Sequence, residues 1–254
     1  MKIGVFGDSF AWPKNAITGI IPNQKDESWI QHIQDKGYKI VTYGLGGTST
    51  FFSYKNFLKY FKQFEAVIFL YSSRFRIPTM PKTFEGFSCY NTVDSIDEII
   101  RFRNKNLEAE EIKKIRAIFE AFEATFDEEF YKFIQQSIFN EVNRLCNKNN
   151  IRLVNILSFE RNTNSSPFLD YDRRYGEVVL NLSDVSMKEM KVDSRGDVRY
   201  CHLSYENNKI LGDKLLELIQ NKNSNKIIDA YEQFPFVYSD EITQRYYTLL
   251  EQFL

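Results

Sequence analysis

The sequence predicts an α/β protein, a three-layer α/β/α sandwich around a short parallel sheet, and three observations predict it. Short β-forming runs recur at residues 3–6, 38–43 and 65–71, and apolar residues at helical spacing fill the gaps between them. Each run stops in small, hydrogen-bonding residues: Gly7-Asp8-Ser9, then Gly44-Leu45-Gly46-Gly47, then Ser72-Ser73. From Ala66 on, the third run is continuously apolar, the pattern of a strand covered on both faces.

The composition sets the bounds. At 254 residues the chain can bury a sizeable core. Its formal net charge of -1 gives no basic field to draw it onto nucleic acid or an acidic membrane. Cys89, Cys146 and Cys201 are scattered, with no Cys-x-x-Cys pair, which favours reduced thiols and a cytoplasmic protein. No apolar run approaches the length of a membrane span, and the chain passes at once into its first strand, so neither a span nor a leader is expected. His32 and His202 are the only histidines and lack ligand spacing, so no metal and no cofactor is expected.

Along the chain, residues 12–26 form a loop with Pro13 and Pro22, and residues 27–36 a helix with Trp29, Ile30 and Ile33 on one face. Gly37 follows as a C-cap, and His32 on this helix has a packing or solvent-side role. The glycine-rich turn at residues 44–50 could face an anion through its N–H groups or be a tight turn. It is no dinucleotide fingerprint, because Ser49 stands where the third glycine belongs, and it lacks the Gly-Lys-Ser/Thr of a phosphate loop.

Residues 51–61 are an aromatic-rich helix. Residues 75–126 are longer than a crossover needs, with a loop to about Thr92 and helical periodicity after it, so they form a helical insertion. Residues 127–148 are a further helix with Phe130, Phe133, Ile134, Ile138 and Val142 on one side. A fourth strand at 151–157 precedes a long polar loop, and residues 205–220 are an amphipathic helix. The main domain therefore covers residues 1–222, and residues 223–254 read as a helical extension packing on the domain or on a partner. The insertion or this extension offers a surface for a homo-oligomer.

A hydroxyl just beyond a strand's carboxyl end, at Ser9, sits where open α/β sheets gather ligands. The order of Gly7-Asp8-Ser9, Gly44-Leu45-Gly46-Gly47 and His202-Leu203-Ser204 resembles the blocks of the SGNH (GDSL) hydrolases, a superfamily of esterases, lipases and carbohydrate acetylesterases. The resemblance covers roughly residues 1–220 in architecture and implies a flavodoxin-like sheet. It implies Ser9 as nucleophile, His202 as base, and an oxyanion hole from Ser9, Gly47 and Ser73. Where the family has Asn, this chain has Ser73, and where the family has an Asp three residues before its His, this chain has Arg199. Asp197, then Asp193, is the nearest upstream acid to orient His202; otherwise a backbone carbonyl does so. Asp8 reads as structural.

The resemblance implies a serine-dependent ester hydrolase acting on a small acylated substrate, with an acetylated carbohydrate as one candidate. An acyltransferase on the same scaffold, or a degenerate binding module that has lost turnover, are the alternatives.

Overall fold

A computed structural model describes residues 1–11, 28–45, 48–72, 108–158, 177–180, 182, 203, 205–221 and 227–237. Its strands are β1 (Lys2–Phe6), β2 (Lys39–Thr42), β3 (Ala66–Tyr71), β4 (Arg152–Leu157), β5 (Glu177–Leu180) and β6 (Ile227–Asp229). Its longer helices are α1 (Trp29–Asp35), α2 (Thr50–Tyr60), α3 (Ala109–Thr125), α4 (Glu128–Lys148) and α5 (Tyr205–Gln220), and a short α6 (Ala230–Gln233) follows β6. The described strands pair in the order β2-β1-β3-β4-β5-β6, parallel at every step. The first five stand in flavodoxin-like order.

Period-two alternation divides the core. Ala66, Ile68 and Leu70 of β3 face one side, with Trp29 and Ile33 of α1 and Leu211, Leu215 and Ile219 of α5. Val67, Phe69 and Tyr71 face the other, with Phe57 of α2 and Phe139 and Val142 of α4. All six residues of β3 are buried, and each large apolar side chain so enclosed contributes about 1.5–3 kcal/mol. The α2/α4 side is aromatic: Phe6 stacks on Tyr43 at 5.1 Å and meets Phe57 edge-on at 5.5 Å. The Phe64 ring occupies the space over Gly4, where a Cβ would come within 2.5 Å of it.

The helices begin and end where local chemistry directs. Ser28, Ser49 and Asp127 each cap a helix by accepting an N–H three residues on. Gly37, at φ +87°, ends α1 as the sequence predicts. Between α1 and α5, Gly212 permits close approach, since a Cβ there would lie 2.8 Å from the His32 ring. The Arg152 guanidinium donates to the Ile219 carbonyl at 3.0 Å, so α5 ends beside the start of β4 and begins at the carboxyl edge of the sheet.

Three expectations change. Residues 177–180, where the sequence reading places no strand, form β5; four residues among polar neighbours give too short a periodic signal to see. The segment expected to be a helical extension from 223 instead adds β6 to the sheet before α6, because Ile227 and Ile228 complete the edge of β5. Phe234 and Phe236 then bury against the domain. Phe130 and Phe133, expected on the packed side of α4, are 54% and 68% exposed; burial on α4 begins with Gln135 and Ile138, where the helix meets the sheet. Of the insertion, α3 is described and is helical; residues 73–107 lie outside the described residues, as do residues 238–254. Among the described residues no helix is long and apolar enough to cross a membrane.

His32 takes the packing role expected of it and pairs with α5, its Nε2 lying 2.8 Å from Asp213 Oδ1, where Lys36 also binds. Burial works to raise the Asp213 pKa, but hydrogen bonds and charge from Lys36 and His32 outweigh it and leave the carboxyl below its ordinary value. A carboxyl lowered on folding stabilises the fold above its unfolded pKa, and that stability is lost as pH falls through the folded pKa. The Asp213 side chain is 46% exposed, so solvent screens the pair. Asp213→Asn should therefore cost less than about 1 kcal/mol at neutral pH. The difference should vanish in acid, which urea denaturation at the two pH values will measure.

Candidate active site

The first strand ends in a turn that only small residues can make. A Cβ on Gly7 would come within 2.8 Å of both Ala11 Cβ and Leu70 Cβ. Beyond it, the Phe10 N–H donates to Asp8 Oδ1 at 3.1 Å, and the Ala11 N–H to the Asp8 carbonyl at 3.0 Å. These bonds wind Ser9–Ala11 into one 3-10 turn. Asp8 is fully buried and builds this turn, the structural part the sequence assigns it. Ser9 stays 8% exposed, just past the carboxyl end of β1.

The exit of β2 is laid against that turn. Tyr43 N donates to the Val5 carbonyl at 2.8 Å and Leu45 N to the Gly7 carbonyl at 3.3 Å, so pairing with β1 continues past both strand ends. Gly44 is required there, because a Cβ would lie 2.3 Å from the Ala11 carbonyl carbon and oxygen. The Thr48 hydroxyl donates to the Leu45 carbonyl at 2.7 Å, and Ser49 then caps α2. The α2 N-terminus, with its partial positive charge, thus starts just after the segment that Leu45 pairs with Gly7.

At the exit of β3, a buried polar cluster holds the Ser72 peptide. Its N–H donates to Thr50 Oγ1 at 2.9 Å, and its carbonyl accepts from Gln135 Nε2 of α4 at 2.6 Å. An accepting carbonyl at that distance fixes which end of the Gln135 amide faces it. Gln135 Nε2 also lies 3.4 Å from Thr50 Oγ1, so α2, β3 and α4 share one knot. The hydroxyls of Ser72 and Ser158, at the ends of β3 and β4, are buried and find no hydrogen-bond partner among the described residues.

A second set of bonds ties the start of α5 to the same edge. The Trp29 indole Nε1 donates to the Phe10 carbonyl at 2.9 Å. The Trp29 backbone N–H, one of the donors a helix N-terminus leaves over, finds Asn208 Oδ1 at 3.1 Å. Asn208 Nδ2 in turn donates to the Leu203 carbonyl at 2.9 Å. The tie joins segments far apart in the chain, the turn after β1 and the segment before α5.

Of the site residues expected from sequence, Ser9 is described; Gly47, Ser73, Asp197 and His202 lie outside the described residues. The described neighbours of three of these are Thr48, Ser72 and Leu203, each fixed by the bonds above. Asp197, like the alternative Asp193, has no described neighbour. Among the described residues no group of His, Cys, Asp and Glu could hold a metal ion. Burial pushes the Cys146 thiol far up, so it packs as a small hydrophobe.

The sequence reading missed Trp29, Thr50, Gln135 and Asn208 as supports of the edge. For Asn208 a signal existed: Asn208, Leu211, Leu215 and Ile219 recur at helical spacing, so the apolar stripe of α5 continues onto an amide.

No family model and no curated protein matches the chain. The solved structures similar to it include the psychrotrophic esterase EstA from Pseudoalteromonas sp., inhibited by monoethylphosphonate, at 11% identity over 86% of this chain and 96% of that one, with a TM-score of 0.43. They also include a putative lipolytic protein of the G-D-S-L family from Desulfitobacterium hafniense DCB-2, at 14% identity over 85% and 98%, with a TM-score of 0.42.

Removing the Gln135 amide tests the knot at β3. Gln135→Leu leaves the buried Ser72 carbonyl with the Thr50 hydroxyl at 3.2 Å as its remaining donor among the described residues, and should lower the unfolding free energy by about 0.5–1.5 kcal/mol in urea denaturation.

Proposed function

We propose that this chain is a serine-dependent ester hydrolase of the SGNH kind, removing a small acyl group through an acyl-enzyme on Ser9 with His202 as base. The observation that carries this reading is the hydrogen-bonded tie between the Ser9 turn and the Leu203 peptide. It brings the residue after Ser9 and the residue after His202 to one edge of the sheet. That edge is the carboxyl edge, between β1 and β3, whose next core-packed helices, α1 and α4, lie on opposite faces, the usual crevice for ligands in such sheets.

The Ser9 hydroxyl attacks the acyl carbon as His202 takes its proton, and the carbonyl π electrons move onto oxygen. The Ser9 and Gly47 N–H groups and the Ser73 hydroxyl hydrogen-bond that oxyanion, near the positive end of α2. Collapse of the tetrahedral species breaks the ester bond, and the leaving alcohol receives the proton from His202. Water, deprotonated by His202 in its turn, then releases the acid and restores Ser9. Asp197, Asp193 or a backbone carbonyl holds the other ring nitrogen and fixes the tautomer. Acyl transfer to a sugar hydroxyl would use the same groups with water replaced, and an acetylated carbohydrate fits the small-acyl reading.

A fluorophosphonate probe, which reacts only with an activated serine, tests the reading directly. The wild type should label, Ser9→Ala should not, and His202→Ala should label far more slowly. Ser73→Ala should lower kcat on a chromogenic acetate ester by up to about 100-fold with KM little changed, as expected for a lost oxyanion donor. A folded wild type that neither labels nor turns over would make the chain a binding module.

A further inference from the structure

We propose that Asn208 is a positioning residue that sets the His202 imidazole against the Ser9 hydroxyl. This inference rests on the ester-hydrolase reading and adds to it a group that touches no substrate. Phe10 and Leu203 directly follow Ser9 and His202 in the chain. Their carbonyls are joined through two side chains, by the Trp29 indole at 2.9 Å to the first and by Asn208 Nδ2 at 2.9 Å to the second. The Trp29 N–H donates to Asn208 Oδ1 and closes the link. Phe10, Trp29, Leu203 and Asn208 are each 5% exposed or less, so water does not compete for these bonds and their directions are held.

A bland role is available, since α1 and α5 need a tie wherever they meet. That need is met by the Oδ1 arm alone. The Nδ2 arm reaches back to the carbonyl of Leu203, the residue that directly follows His202.

Asn207, next to it, provides the contrast. It too is buried and two-armed, with Val237 N donating to its Oδ1 at 2.9 Å and its Nδ2 donating to the Val237 carbonyl at 3.4 Å. Among the described residues, its clamp holds the segment after α6. One amide of the pair therefore reports on stability and the other on stability and geometry together.

The test uses the full chain, p-nitrophenyl acetate and the fluorophosphonate probe, with thermal unfolding recorded for every variant. Asn208→Asp keeps an acceptor for the Trp29 N–H and removes the donor to Leu203. It should lower kcat by about 10- to 100-fold with KM within about twofold, the loss expected from misplacing a reacting group by about 1 Å. In a His202→Ala background it should slow labelling no further, because the group it positions is gone. Asn207→Asp should lower the melting temperature yet leave kcat within about twofold of wild type.

Trp29→Phe removes the indole donor from the other end of the link. It should give the same pair of kinetic results even if Asn208→Asp does not fold. A wild-type kcat in Asn208→Asp, or in Trp29→Phe if the former does not fold, overturns the proposal. So does an equal loss with and without His202. If Ser9→Ala and His202→Ala keep full activity, the hydrolase reading falls and takes this inference with it. If they lose activity while the folded positioning variant is neutral, only the positioning role falls.

Discussion

Parallel pairing of β1 between β2 and β3 is the constraint on which the rest of this molecule depends. Parallel neighbours cannot be joined by a tight turn, so the chain must cross back over a sheet face between them. It does so over one face with α1 and over the other with α2. Every strand then delivers its last residue to one edge, and the chain leaving β1 and the chain leaving β3 part there. Ser9 and the Ser72 peptide stand on either side of that parting.

The two faces meet the demand differently. The α1/α5 side is closed mainly by aliphatic side chains with Trp29 among them, and its helices approach closely over Gly212. The α2/α4 side is closed by rings, and small residues make way for them, as at Gly4. Polar groups enter on both sides where elements meet. Tyr71 donates to Asn155 at 3.1 Å, and Asn155 to Asn143 of α4 at 3.2 Å, within the aromatic layer. At the carboxyl edge, Thr50 and Gln135 serve one side and Asn208 the other. Buried amides of this sort specify one arrangement of helices, because any other leaves a carbonyl without its donor.

Much of the fold was legible because long periodic segments dominate it. Residues 205–220 read as a helix and are α5; the run at 65–71 read as a twice-covered strand and is β3. The illegible parts were short or long-range. β5 and β6 gain their identity only from neighbours in the sheet, and three or four residues carry no period of their own. Around the site, the Gly7-Asp8-Ser9 turn could be read because its chemistry is local, an acid and a glycine shaping three residues. The supports could not, since Gln135 meets Ser72 63 residues away and no local pattern announces such a pairing.

The link between Trp29 and Asn208 joins residues 179 positions apart. At ordinary rates of synthesis, on the order of 5–20 residues per second, α1 leaves the ribosome roughly ten to forty seconds before its partner α5 exists. During that interval the indole and Ile33 have a sheet to lie on but no second helix to cover them. The nascent chain is therefore a client for holding factors that shield apolar surface, and the pairing of the two chain ends is a late event of folding. A chain cut short before α5 can still form the central strands, yet it lacks the element that closes their α1 face.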